Sequence, residues 1–493
     1  MCKSVPEISR ISDFSFQNVI QIYGEQLEKD CKVFVLKTPY FEFENGEYFK
    51  QPPLTPPEGA KEYEVDYFTK QVIYVEGRPS IEGGVNIIWV KNSCGFSKPY
   101  IANRPQIWNQ SLIKVDHGDM FTLYGNNFGD MIDSKHLLLE NSATGEKTVI
   151  NNLVHVGYAY NRENYVVEFE IPKSLPYGEY NAYIHSGSGG AYGWSNPVKL
   201  TVEAQKNSAV AFYGNRWNNS VTHSGRLSED VKTVTLKPNE DLFSDNTADI
   251  QAAIDSLKDG GIVHLLPGVY EISKTIELRS GVVLLGSGRE LTIFKANTLK
   301  GITQDLSTVE YAKRAKNGKG WAVDWQRPYE NYNAAALVRL RSDSGVQGIG
   351  FELGGGANIG IFIASETQNP VCNAFVNSCK VDAHYLNEFK NERGFGALAV
   401  GLLSVSSSND LSVYDNIFRT CDPLQILPAH NERLKLVNNT LDCSPAQTSE
   451  SGYICGVYHS VIMGNEFLNG RRILMTQCGF YSNFVYQNRG RGC

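Results

Sequence analysis

Several common signatures are missing from this chain. None of its ten cysteines stands in a C-x-x-C pair and their spacings are wide and irregular, which argues against a metal ribbon or a dithiol redox motif. No run of eighteen apolar residues occurs, so no α-helical membrane span is predicted. Basic residues are not in excess: 46 Lys and Arg against 53 Asp and Glu give a net charge of −7, with a pI near 5.8. Without a basic stripe to neutralise phosphates, nucleic acid is not expected as a partner. The opening MCKSVPE lacks the apolar core of a secretory leader.

What is present suits β structure. At 493 residues there is room for about three domains. Aromatics make up 11% of the chain, with 26 Tyr, a composition that fits strands and sugar-stacking surfaces, although most such Tyr simply pack. The most informative stretch is 246–288. Ile250, Ala253, Ile254 and Leu257 form one apolar stripe of an amphipathic helix, with Asn246 or Thr247 available as N-cap and Gly260-Gly261 ending it. Short β runs follow at 262–266, 275–278 and 282–285, each closed by Gly, Pro or Ser. A short helix covering the first rung of a solenoid would hide an exposed sheet edge.

The order short helix, GG, V-x-L-L-P-G-x-Y-x-I, SGV, L-x-G-x-G resembles the N-terminal signature of the pectate-lyase-like superfamily of right-handed parallel β-helices. That superfamily contains polysaccharide lyases, polygalacturonase-like hydrolases, sugar epimerases and phage tailspike depolymerases, so the resemblance implies carbohydrate work without fixing the reaction. The repeats support the solenoid independently. Asn416 in VYDNIF, Asn439 in LVNNTL and Asn465 in IMGNEF recur at intervals of 23 and 26 residues, each with a hydrophobe two positions on. Stacked asparagines at tight turns can bond their neighbours above and below. Strands are predicted at 359–364, 398–405, 424–428, 453–458 and 473–476, for about eight coils.

Before residue 206 the pattern differs. The paired I-x-I-Y-G-E-Q-L and F-T-L-Y-G-N-N-F resemble IPT/TIG immunoglobulin-like modules, the first copy being interrupted by QPPLTPPEG at 51–59. The expected architecture is all-β: β-sandwiches over 4–103 and 104–204 with a spacing or docking role, a linker or first strand over 205–227, and a right-handed parallel β-helix over 228–493. NRGRGC follows a coil with no recognisable cap, so truncation at the C-terminus is expected. The seven cysteines after residue 371 read as small buried hydrophobes, with disulfides left open.

Candidate chemistry lies between His384 and Arg472. In polygalacturonase-like enzymes, aspartates occupy the turn leading into a groove strand, as in D-D-C-x-x-V; CDPLQIL here carries one acid, which implies Asp422 as general acid or base, or as a turn-capping residue. His430 follows the same strand and His459 ends the next, which would place them on neighbouring coils as catalytic candidates or as ordinary surface histidines. Glu392 and Arg393 in NERGFG offer an acid and an anion clamp, or a solvated ion pair. Arg471 and Arg472 could hold a uronate carboxylate or a sulfate. Tyr458, Trp321 and Trp325 are candidate sugar contacts, the tryptophans in a long insertion at 298–333.

The polygalacturonase set N-T-D, D-D, G-H-G and R-I-K is absent, as are W-x-D-H and R-x-P-x-x-R of pectate lyases. The resemblance therefore implies a glycoside hydrolase, which needs no cofactor, or a polysaccharide lyase, for which Ca2+ would be expected; no metal-ligand set is read from the residues. The alternative is a non-catalytic glycan-binding or adhesin-like cell-surface protein. The expected partner is a polysaccharide or oligosaccharide, the expected location extracellular or cell-surface, and the expected state a monomer, or a trimer if tailspike-like.

Overall fold

A computed structural model describes residues 4–12, 19–38, 48–69, 71–76, 84–129, 135–150, 153–154, 164–204, 206–217, 226–241, 243–300, 302, 336–354, 357, 359–365, 369–383, 399–428, 430–444 and 451–492. The chain divides into two compact units, Met1–Ala204 and Gln205–Cys493.

The first unit is built from sandwich-like sheets that are antiparallel except where Lys114–Val115 pairs in parallel with Val198–Val202. Its two halves open alike. Glu7–Ile11 pairs with Val19–Glu25, and Gln106–Gln110 pairs with Met120–Asn126, each with a register shift at the same place, after Ile8 and after Ile107. Gly24 and Gly125 occupy equivalent positions. A Cβ there would lie 1.9 Å from the Glu7 carbonyl oxygen or 2.0 Å from that of Gln106, so the Y-G pair read from the sequence marks a point where two backbones close on each other. Ile20, Ile22, Val33, Ile73, Val75 and Val90 fill the first core.

The second unit is a parallel β-helix of three sheets. Each coil runs from the first sheet (such as Ser412–Tyr414) through the second (Ile417–Arg419) to the third (Asp422–Ile426) before returning. Among the described residues the first sheet has nine strands and the second eight. Inside, Tyr270, Phe294, Phe351, Val381, Phe418, Leu441 and Phe467 stack along the second sheet against Ile361, Leu402, Leu424 and Ile454 of the third. These residues alternate with outward ones, as the period of two requires.

The entrance helix Thr247–Ser256 buries Ile250, Ala253 and Ile254 as the stripe predicts. Asn246 is its N-cap residue as expected, but the Asn246 side chain makes no capping hydrogen bond. Asp245 accepts hydrogen bonds from the Thr247 amide (3.0 Å) and hydroxyl (2.6 Å), while the Asn246 side chain joins Asn239 and Ser244 in the loop before it. Part of the segment read as a linker also proves structured. Ala209–Gly214 is a short helix whose Ala209 and Val210 pack on Ile262, Val283 and Phe375 of the first sheet. Those outward apolar side chains need a cover, and burying one is worth roughly 1.5–3 kcal/mol at most.

The asparagine ladder is present and longer than predicted. Asn416 donates to the Asn439 amide oxygen, Asn439 to Asn465, and Asn465 to Asn488, each at 2.9 Å. The same amides also donate to the backbone carbonyls of Val376, Val413 and Leu436 at 2.8–3.0 Å. Cys379 takes the place above Asn416, its backbone amide donating to the Asn416 side-chain oxygen at 2.9 Å.

Candidate functional site

Each coil leaves the third sheet through a corner where one residue adopts a left-handed backbone: Asn373, Asp410, Arg433, His459 and Ser482, with φ between 49° and 59°. That conformation costs roughly 1–2 kcal/mol for a residue with a Cβ. Stacked backbone bonds hold it. The amides of Asn373, Asp410, Arg433 and His459 donate to the carbonyls of Asn409, Glu432, Tyr458 and Tyr481 on the next coil at 3.0–3.1 Å. Two outward columns result, with a repeat of about 4.8 Å. One is Asn373, Asp410, Arg433, His459 and Ser482; the other is Asn409, Glu432, Tyr458 and Tyr481.

Glu432 lies at the centre. Its Oε1 is 2.7 Å from His459 Nδ1 and its Oε2 is 3.2 Å from His430 Nε2. An ionised carboxylate only accepts, so in the His459–Glu432 hydrogen bond the ring Nδ1 carries the hydrogen. In a neutral imidazole Nε2 of His459 is then a free base, while His430 stands at ion-pair distance from the other Glu432 oxygen. Glu432 is itself placed by Asn431, which is fully buried and donates to the carbonyls of Pro428 (2.9 Å) and Cys455 (2.7 Å) while accepting from the Ser408 amide (3.2 Å).

Aromatic rings flank the pair. His430 stacks on Tyr458 at 4.7 Å between centroids, and Tyr458 on Tyr481 at 5.8 Å with 20° between planes. Tyr481 is 64% exposed. Beneath them Asp410 receives both Arg433 Nε and Nη2, at 3.0 and 2.7 Å, and Lys435 Nζ at 2.7 Å. Burial alone would raise the Asp410 carboxyl, but the two cations outweigh it and hold it below the usual range. The same burial lowers the Lys435 ammonium.

The outer face of the third sheet is different in kind. Its central column runs Phe362, Leu403, Gln425, Tyr453, Met475. Ile359, Phe362, Val400, Leu403, Leu427 and Tyr453 form a second buried apolar cluster separate from the interior one. Over these coils, then, that face is apolar apart from Gln425.

A family model described as rhamnogalacturonase A/epimerase, pectate lyase-like, matches residues 230–326. Together with three stacked parallel sheets, this decides the class. The C-terminal half is a pectate lyase-like β-helix. Solved structures similar to the chain include a Yersinia enterocolitica family 28 exopolygalacturonase, 12% identical over 76% of this chain and 84% of that one, TM-score 0.29. The A-module of an Azotobacter vinelandii mannuronan C-5 epimerase is 15% identical over 49% of this chain and 75% of that one, TM-score 0.28. A surface adhesin of Streptococcus pneumoniae is 13% identical over 51% and 66%, TM-score 0.28. The search of curated proteins gave no match.

Within the pectate lyase-like β-helix, the sequence candidates fall in three places. His430, His459 and Tyr458 meet at the corner around Glu432. Asp422 starts the strand Asp422–Ile426, whose far end leads to that corner. Four steps of strand already separate them by about 13 Å, more than the spacing at which two carboxylates act on one glycosidic bond. Asp422 belongs instead to the opposite edge, with Asp442 one coil on. Burial would raise the Asp442 carboxyl, but Asn469, Ser444 and Arg419 bind it at 2.8–3.2 Å and hold it below the usual range. Arg471 and Arg472 are exposed on that same edge, where the Arg472 carbonyl accepts from the Ser451 amide at 3.0 Å. Glu392, Arg393, Trp321 and Trp325 lie outside the described residues.

Glu432, Asp410, Arg433 and Tyr481 were missed. The coil period could have found two of them, since Glu432 precedes its column neighbour Tyr458 by 26 residues and Asp410 precedes Arg433 by 23, the two spacings of the asparagine ladder. The donor set does not suit calcium, which takes six to eight oxygens: one Glu432 oxygen is bonded to His459 and the other faces His430. Among the described residues no group of three or more His, Cys, Asp or Glu is arranged to hold a metal.

Proposed function

We propose that the β-helix is a carbohydrate-active enzyme that works on an acidic polysaccharide at the corner centred on Glu432. The observation that carries this reading is the Glu432 carboxylate shared by His430 and His459 beside the Tyr458–Tyr481 stack. A sugar ring stacks on the exposed Tyr481 face. The His459 imidazole, oriented by Glu432, takes a proton from the carbon next to a uronate carboxylate, and Glu432 steadies the imidazolium that forms. Loss of that proton begins either β-elimination or epimerisation. This chemistry fits the corner better than hydrolysis by two carboxylates, because Asp422 stands a strand length away and Asp410 is neutralised by Arg433 and Lys435.

In this reading the sandwiches, whose sequence resembles IPT/TIG modules, position the β-helix on its substrate. The protein works outside the cell, a location that the disulfide at Cys94 supports. A glycan-binding protein without turnover is the second reading, favoured by the apolar, buried outer face of the third sheet. The test is to incubate the chain with a panel of uronate-containing and neutral polysaccharides. The products to follow are unsaturated uronates by ultraviolet absorbance, inverted C5 centres by NMR, and reducing ends. Unsaturated or epimerised uronates, lost in Glu432→Gln, support the proposal. Reducing ends alone from a neutral glycan overturn it, and binding without products moves the protein to the second reading.

A further inference from the structure

Cys455 and Cys478 sit on neighbouring coils directly beneath the aromatic stack. Tyr453, Ile454 and Cys455 pair in parallel register with Met475, Thr476 and Gln477; the register then shifts, and Val457 pairs with Phe480. The shift leaves Cys478 and Gly479 opposite Gly456, both with positive φ, 62° and 127°. Such a bulge re-aims the extra side chain. Here it brings the Cys478 sulfur to 2.6 Å from that of Cys455. Both are free thiols in this structure, Cys455 buried and Cys478 exposed, as are Cys31, Cys372, Cys379, Cys421 and Cys443. Cys94, in the first unit, is disulfide-bonded, so the chain already carries one such bond.

We propose that Cys455 and Cys478 form a disulfide that staples the coil of Tyr458 and His459 to the coil of Tyr481. The oxidant is a disulfide donor such as oxidised glutathione or a disulfide oxidoreductase. Exposed Cys478 attacks a donor sulfur, releases one donor thiol and forms a mixed disulfide. Cys455 then attacks the Cys478 sulfur, and the second donor thiol leaves. The two cysteines lose two protons and two electrons, and the donor disulfide becomes two thiols. Burial, with the neighbouring thiol adding to it, pushes Cys455 up to about 12, so the second step quickens as pH rises.

The staple bears on the corner because the Cys478 carbonyl accepts the Tyr458 hydroxyl at 3.2 Å and the bulge leads directly into Tyr481. Loosening it frees the outer ring of the stack.

The full-length chain, refolded in a glutathione redox buffer, is alkylated under denaturing conditions without reductant and digested with trypsin. Cleavage after the flanking Lys and Arg residues releases peptides 436–471 and 473–489, which contain Cys455 and Cys478. The expected result is a species of the two peptides joined, two hydrogens lighter than their sum, absent after reduction and absent in Cys455→Ser. In a Cys443→Ser chain it persists, which assigns the bond to Cys455. Cys478→Ser, which leaves the Cys94 bond in place, lowers the Tm of the oxidised protein by about 5 °C. Full alkylation of both residues, or a link through Cys443, overturns the proposal. The readout is a mass and needs no glycan, so it stands or falls separately from the function proposed above.

Discussion

The β-helix uses one backbone device at two corners and loads it differently. Between the first and second sheets, a left-handed residue such as Asp415 or Asn438 (φ 56° and 54°) is followed by an asparagine turned inward, and four of these bond one another in a row of which Asn416, Asn439 and Asn465 are buried. Between the third and first sheets, the left-handed residues are Asn373, Asp410, Arg433, His459 and Ser482; those that follow inward are the buried Ala374, Leu411, Leu434 and Ser460, and then Asn483, which repeats the asparagine device once by accepting from the Ser460 amide at 2.8 Å. At this corner the ionisable groups lie on the outer side. A repeated, buried, uncharged row is what a solenoid needs to hold its rise. A row of unlike groups reaching solvent, with a carboxylate oriented toward two imidazoles, adds little to the rise and is arranged to meet a ligand. Positive φ alone does not mark function here, because both corners have it.

Substitutions should separate the two corners, and the largest effect is expected in the buried row. Asn439→Ala removes bonds to Asn465 and Val413 and leaves Asn416 without its acceptor. Chemical denaturation should show a loss of at least about 3 kcal/mol. Glu432→Gln and His459→Gln should do the reverse, lowering turnover on a uronate polymer by at least about 100-fold while the melting temperature hardly moves. A large loss of stability in Glu432→Gln would make the outer corner structural as well. Asp422→Asn, at the opposite edge of the third sheet, should change kcat by less than about threefold.

The smallest effect is on acid stability. Burial would raise the Asp245 carboxyl, but hydrogen bonds from Ser273 and Thr247, and the Lys300 ammonium, bring it from 3.8 to about 2. A folded value below the unfolded one means its stabilisation is present above the unfolded value and is lost as pH falls through about 2. Melting temperatures measured across that window should fall, and Asp245→Asn should flatten the slope. The uncharged asparagine row contributes nothing to it.

Much of this was legible in the chain because a solenoid writes its period into sequence. Asn416, Asn439 and Asn465 could be read as a ladder since each precedes a large hydrophobe by two positions. Asn488 escaped because Gly490 stands where the hydrophobe should be. The amphipathic stripe of the entrance helix and its N-cap position Asn246 were equally plain, but not the side chain that bonds the first-turn amide, which is Asp245 one position earlier. At the site, His430 and His459 were visible as residue types, whereas Glu432, which joins them, looked like one more surface acid in a polar run. Its role depends on which residue stacks one coil above. The apolar outer face of the third sheet was hidden for the same reason: Ile361 and Phe362 look alike in sequence, and only the direction of each side chain separates interior from exterior.

The most direct test of the central claim is a crystal structure of the protein with a uronate oligosaccharide. The account predicts a sugar ring stacked on Tyr481 with the carbon next to its carboxylate within reach of His459 Nε2. An oligosaccharide seated instead at Asp422 and Arg471, with the Glu432 corner empty, would contradict it.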